Sequence, residues 1–141
     1  MARFEFRLQK VLEYRGMVEQ WAKEAYLDAQ RKVFDAEAER ETIRSTRQEL
    51  LSRRMASVEE LVALNAYVER LDDQESMQDS IIRILTDAVE SAKQEWIVAK
   101  QEAEALVKLR DGDLAEWTLD QDRKEQAELD EMTVLRWKQA S

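Results

Sequence analysis

At 141 residues, with no proline, cysteine or histidine and with glycine only at Gly16 and Gly112, the chain lacks the residues that many tight turns, disulfides, the usual zinc sites and the commonest general base require. Its 38% of charged residues and formal charge of -9 argue against a nucleic-acid backbone or an anionic lipid surface as the main partner, since both select clustered Lys and Arg. No apolar run approaches the roughly 18 to 20 residues of a membrane span and the N-terminus has no signal-peptide core, so a cytoplasmic protein made of few, long helices is expected.

The first predicted helix covers about residues 3–52. Every seventh residue from Leu8 gives Leu8, Arg15, Ala22, Ala29, Ala36, Ile43 and Leu50, six of the seven apolar. The companion set is Phe4, Val11, Val18, Ala25, Lys32, Glu39 and Thr46. Heptad spacing of this kind draws one apolar stripe along a helix. In the opening FEFRLQKVLEYR, a helical wheel sets Phe4, Leu8 and Val11 on that stripe. Phe6 then points away from it, beside Arg3, Arg7, Lys10 and Tyr14, as an exposed docking face.

A connection is expected at about 53–57. Ser57 followed by Glu60 has the spacing of a capping box, in which a hydroxyl satisfies a first-turn amide and a carboxylate reaches back. The second predicted helix then runs over about 58–138. Its stripe is Leu61, Leu64, Val68, Leu71, Glu75, Gln78, Ile82, Leu85, Val89, Ala92, Trp96, Ala99, Ala103 and Leu106, twelve of the fourteen apolar.

Two stripes of about 45 residues, roughly 68 Å at 1.5 Å per residue, joined by a short connection predict an all-α fold. It is a long two-helix antiparallel coiled coil, a helical hairpin in a single domain over residues 1–141, with an overhanging C-terminal helix. A parallel dimer of extended helices is the competing arrangement. If Leu50 lies near Leu61, paired residue numbers sum to about 111. Lys32 then reaches Glu75, a partner for a carboxylate that would be costly alone in a seam. The same register sets Trp96 against Arg15 and Gly16, with the guanidinium stacked on the indole and the glycine making room.

Beyond Leu106 the first helix has no residues left to face the second. About 30 residues overhang, still carrying Leu114, Trp117, Leu119, Leu129, Met132, Val134, Leu135 and Trp137. A lone helix in water is stabilised only weakly, so this end either frays after Gly112 or is received by a partner.

No catalytic, cofactor or metal site emerges. Glu37, Glu39 and Glu41, or Asp120 and Asp122, are carboxylates of a solvated helix, and a paired coiled coil offers no enclosed pocket. The expectation is a protein without enzymatic activity that presents its two ends to other proteins. The closed tip near residues 50–60 offers Leu61, Val62 and Tyr67.

The opening FEFRLQKVLEYR and the closing DRKEQAELDEM, Asp122 to Met132, resemble the two ends of the FliJ proteins of bacterial flagellar export, with VEELVALNAYVERL between them following the same architecture. The resemblance implies a cytoplasmic stalk and escort protein, similar in fold to the central stalk of rotary ATPases. It would be peripheral at the cytoplasmic face of the inner membrane, without inserting into it. The implied partners are a FliI-type export ATPase hexamer, a FlhA-type export gate and substrate–chaperone complexes, with no nucleic acid and no cofactor. Carried over by position, the ATPase-facing residues are Phe6, Arg7, Lys10 and Tyr14 with Arg123, Lys124 and Glu125. The gate-facing residues are Tyr67 and Leu71, although Thr46 and Leu50 stand where family members carry aromatics before the turn. The central stalk of a virulence type III secretion system, and a self-associating coiled-coil spacer without an ATPase partner, are the alternatives.

Overall fold

The computed structural model describes residues 2–140. It has two helices, α1 (Gln9–Leu51) and α2 (Val58–Ala140), paired antiparallel as a hairpin within the chain. Two compact units divide it: Gln20–Val98, which holds the connection, and the remaining described residues, where the start of the chain lies along the later part of α2.

Both helix starts follow from local chemistry. Ser57 Oγ accepts the Glu60 amide at 3.2 Å, and the Glu60 carboxylate accepts the Ala56 amide at 2.9 Å, one residue earlier than a strict capping box. Glu59 and Glu60 in the first turn also offset the helix dipole. The start of α1 has none of this: no Ser, Thr, Asp or Asn precedes it, and no acidic residue stands in its first turn. Helix therefore begins at Gln9, not near residue 3, and Gln9 donates its amide to the Phe6 carbonyl at 3.1 Å in a turn. At the other end of α1 the Gln48 carbonyl accepts the Ser52 amide and the Glu49 carbonyl accepts Ser52 Oγ.

The stripe expected on α2 is the observed one: of its fourteen residues only Leu61 is exposed. On α1 the line from Leu8 to Leu50 also faces inward, but its companion is displaced by one residue. Leu12, Glu19, Tyr26, Val33, Arg40 and Arg47 are half-buried, while Val11, Ala25, Lys32 and Glu39 of the expected set are exposed. Apolar content favours the other companion because two positions of the buried line, Arg40 and Arg47, are charged. In the fold, Arg40 and Arg47 lay aliphatic stems over the seam and carry their charged heads to α2.

Those heads set the register of Gln20–Val98. Arg40 meets Asp79 at 3.1 Å, Arg44 meets Glu75 at 2.8 Å and Arg47 meets Asp72 at 2.8 Å, each pair summing to 119, and Arg47 also binds Glu75. Gln78, buried, donates Nε2 to the Ala36 carbonyl at 2.9 Å. The register is thus close to one heptad further along than the expected sum of 111. Leu61 is left outside the seam as a result. The Lys32–Glu75 pair does not form; Lys32 pairs with Asp28 within α1. Trp96 stacks on Tyr26, ring centroids 5.5 Å apart, and the proposed contact with Arg15 is overturned. Arg15 instead donates to Glu102 at 2.8 Å. A Cβ added at Gly16 would meet nothing within 4 Å, so that glycine makes room for no side chain.

Helix α2 continues unbroken through Gly112 to Ala140. Pairing also extends well beyond Leu106, because the non-helical start of the chain carries Phe4 to Trp117, ring centroids 5.9 Å apart. Arg110, Asp113, Trp117 and Gln121 remain half-buried, and every residue from 122 to 140 is exposed. The overhang is therefore 19 residues, about 28 Å of helix, not the 30 expected.

Because Gly16 is helical, open to solvent and free of steric neighbours, Gly16→Ala should raise stability by about 0.5–1 kcal/mol, measured as a higher Tm and denaturation midpoint. The Glu75 carboxylate is held below its usual range by hydrogen bonds from Arg44 and then Arg47. Its contribution is complete above the ordinary glutamate value of about 4.3 and is lost as pH falls through the lowered folded value. Thermal melts across the acid range should show Glu75→Gln less stable than the parent at neutral pH, with the gap closing as pH falls. A constant gap would contradict this role for the charge.

Candidate functional site

At least three grooves mark the surface of the described residues. Two lie in Gln20–Val98: one of about 270 Å3 includes Val33, Phe34, Thr86 and Val89, and one of about 380 Å3 includes Lys32, Asp35, Glu39 and Ile81. Both are acidic on balance, with Glu37 in the first and Asp35 and Glu39 against Lys32 in the second. The third, about 730 Å3, lies in the other unit and is lined by Arg3, Phe4, Glu5, Phe6, Arg7, Gln9, Lys10, Val11, Glu13 and Arg110. Four cations against two carboxylates make it basic, within a chain of net charge -9.

The irregular start of the chain builds this groove. Without a cap to begin a helix, residues 2–8 run along the later part of α2, with Phe4 against Trp117 and Phe6 only 8% exposed. Phe6 is therefore not the exposed side chain that a helical wheel gave, because the wheel assumed helix where there is none. Arg7 and Lys10 do line the groove and face solvent. Neither they nor Arg3 forms an ion pair among the described residues, and Arg110 has only its neighbour Asp111, at 3.5 Å. The amides of Lys10 and Val11 find no backbone acceptor among the described residues, so the N-terminal end of α1 adds positive potential at the same place.

Tyr14 is 54% exposed but does not line the groove; the Arg15 guanidinium stands 6.0 Å from its ring. Arg123, Lys124 and Glu125 lie on the overhang, beyond the last half-buried residue, Gln121. By Arg123, α2 has run six residues past Trp117, about 9 Å along its axis, and among the described residues the ion-pair partner of Arg123 is Asp120, on α2 itself. The structure thus brings Arg7 and Lys10 together with Arg3, which the helical wheel had set beside them, and with Arg110, which sequence patterns did not single out. Arg110 was legible only as the next heptad position after Leu106, where the apolar stripe ends.

Toward the connection, Tyr67 is 45% exposed while Leu71, one turn on, is 5% exposed. Leu71 is a core side chain, as its place in the heptad stripe requires, and it offers no surface to a partner. Tyr67 stands with Val58, Leu61 and Val62 as exposed apolar groups of the first turns of α2. Among the described residues no group of His, Cys, Asp and Glu is arranged to hold a metal ion, and no helix is long and apolar enough to cross a membrane.

Because Phe6 is buried, Phe6→Ala should destabilise the start of the chain by roughly 2 kcal/mol. Hydrogen exchange should quicken over residues 2–12 and stay unchanged near Leu71; unaltered exchange at the N-terminus would show that Phe6 does not anchor it.

The family model described as flagellar FliJ protein matches residues 4–141, essentially the whole chain. No curated protein and no solved structure matches it.

Proposed function

Because this chain belongs to the flagellar FliJ protein family, which gives it a role connected with flagellar export, we propose that it is the stalk and escort protein of that apparatus. In this reading the open end, made of the basic groove and the overhang, docks on a FliI-type export ATPase ring. The end near the connection turns toward a FlhA-type export gate, and substrate–chaperone complexes are handed between them at the cytoplasmic face of the inner membrane.

The observation that carries the reading is the 19-residue helical overhang, residues 122–140, every one of which is exposed. Leu129, Met132, Leu135 and Trp137 on it are each more than half exposed. An isolated amphipathic helix gains most of its stability by burying its apolar groups, so a receiving surface supplies what the hairpin does not. The contact residues proposed by likeness to the family, with their exposure in support, are Arg7, Lys10, Tyr14, Arg123, Lys124 and Glu125 toward the ATPase, and Tyr67 toward the gate. Phe6 and Leu71 support these surfaces from the core. A stalk of this kind does mechanical and adaptor work and carries no catalytic group.

Removing residues 122–141 should leave the heptad seam and its cooperative melting intact while abolishing stimulation of the export ATPase. ATPase assays and co-sedimentation with the ring-forming enzyme check this; full stimulation by the truncated chain would refute the reading. Light scattering of the parent protein separates the stalk from a self-associating spacer, which would give a stable oligomer.

A further inference from the structure

The groove at the open end has a chemistry more specific than docking. We propose that it receives an acidic protein segment carrying an apolar anchor, with Arg3, Arg7, Lys10 and Arg110 as the walls that hold its carboxylates and the exposed part of Phe4 as the apolar contact. This rests on the reading that the open end docks a partner, and it names the chemistry of that partner.

Charge complementarity carries the argument. The chain as a whole bears -9, so an acidic segment is repelled from most of its surface. Along the seam the charges are already spent: Arg40, Arg44 and Arg47 are paired with Asp79, Glu75 and Asp72. In the groove the arrangement reverses. Four cations converge on one concave surface, and three of them have no carboxylate partner among the described residues. Glu5 and Glu13 also line it, but Glu13 is engaged by Gln9 Nε2 at 3.1 Å, and the balance stays positive. A concavity that is basic in an acidic protein orients a carboxylate-bearing partner onto one end and selects against basic partners there.

Guanidinium groups suit this role because each presents a planar fork of donors that matches a carboxylate, and three of the four walls are arginine. Phe4 supplies the apolar contact at low cost, since Trp117 already holds its ring in place.

The test uses the full chain and two synthetic peptides, one of glutamates around a central leucine pair and one with lysines replacing the glutamates. Binding is followed by fluorescence anisotropy. The acidic peptide should bind and the basic one should not. Affinity should fall severalfold between about 0.01 M and about 0.15 M salt, as the screening length drops from about 30 Å to about 8 Å. The double variant Arg7→Glu, Lys10→Glu should weaken binding about tenfold or more, while the charge-matched control Arg54→Glu, Lys93→Glu, outside the groove, leaves it unchanged. Circular dichroism verifies that both variants remain helical.

Equal weakening by the control would mean that total charge and not the groove governs binding, and would overturn the proposal, as would binding of the basic peptide. A dimer of the parent chain that the Arg7, Lys10 variant dissociates would place a second copy's segment from Glu125 to Met132 in the groove, and would overturn the assignment to a separate partner. If the export ATPase binds the full chain but the acidic peptide does not, the charge assignment falls and the stalk reading stands. If the peptide binds and the ATPase does not, the groove chemistry stands and the partner's identity falls.

Discussion

A heptad seam has a built-in ambiguity: slide one helix past the other by seven residues and an equivalent apolar stripe is presented again. In Gln20–Val98 the polar residues inside the seam break that degeneracy. Glu75 sits at a stripe position with its side chain 15% exposed, where a lone carboxylate would be costly, and the observed register gives it both Arg44 and Arg47. Gln78, one turn on, finds the Ala36 carbonyl. Apolar packing holds the helices together, while these few polar contacts decide which residues of α1 face which residues of α2.

The other unit solves a different problem. Its chain start has no residue able to cap a helix, so the first residues stay irregular and use two phenylalanines as anchors. Phe4 on Trp117 and the buried Phe6 extend the paired region well past the last turn that α1 itself covers. The same irregularity leaves Arg3, Arg7 and Lys10 unpaired around a concave surface and leaves the end of α1 without a carboxylate to offset its dipole. A strong cap would have stabilised the helix and removed the groove. The surface offered to a partner thus arises from a local weakness in helix initiation.

Much of this protein was readable in its residues. Two long helices follow from the near absence of turn formers, and the α2 stripe is legible because twelve of its fourteen residues are apolar. The α1 stripe was half legible. Leu8, Ala22, Ala29, Ala36 and Ile43 declare themselves, but the companion line runs through Arg40 and Arg47, whose burial depends on carboxylates lying on the other helix. The candidate site was read less well for the same kind of reason. Arg7 and Lys10 were visible as cations near the open end, whereas Phe6 was placed on the wrong face because helical geometry was extended into a segment that is not helix.

The sequence by itself determined helix type, the position of the turn, the cap at Ser57 and one face of each helix, because periodicity, turn chemistry and capping are local properties. Only the tertiary structure decided the register, the length of the overhang and which cations share a groove. Each of these depends on residues far apart in the chain, and the repeat that makes the seam stable is also what makes its alternatives look alike.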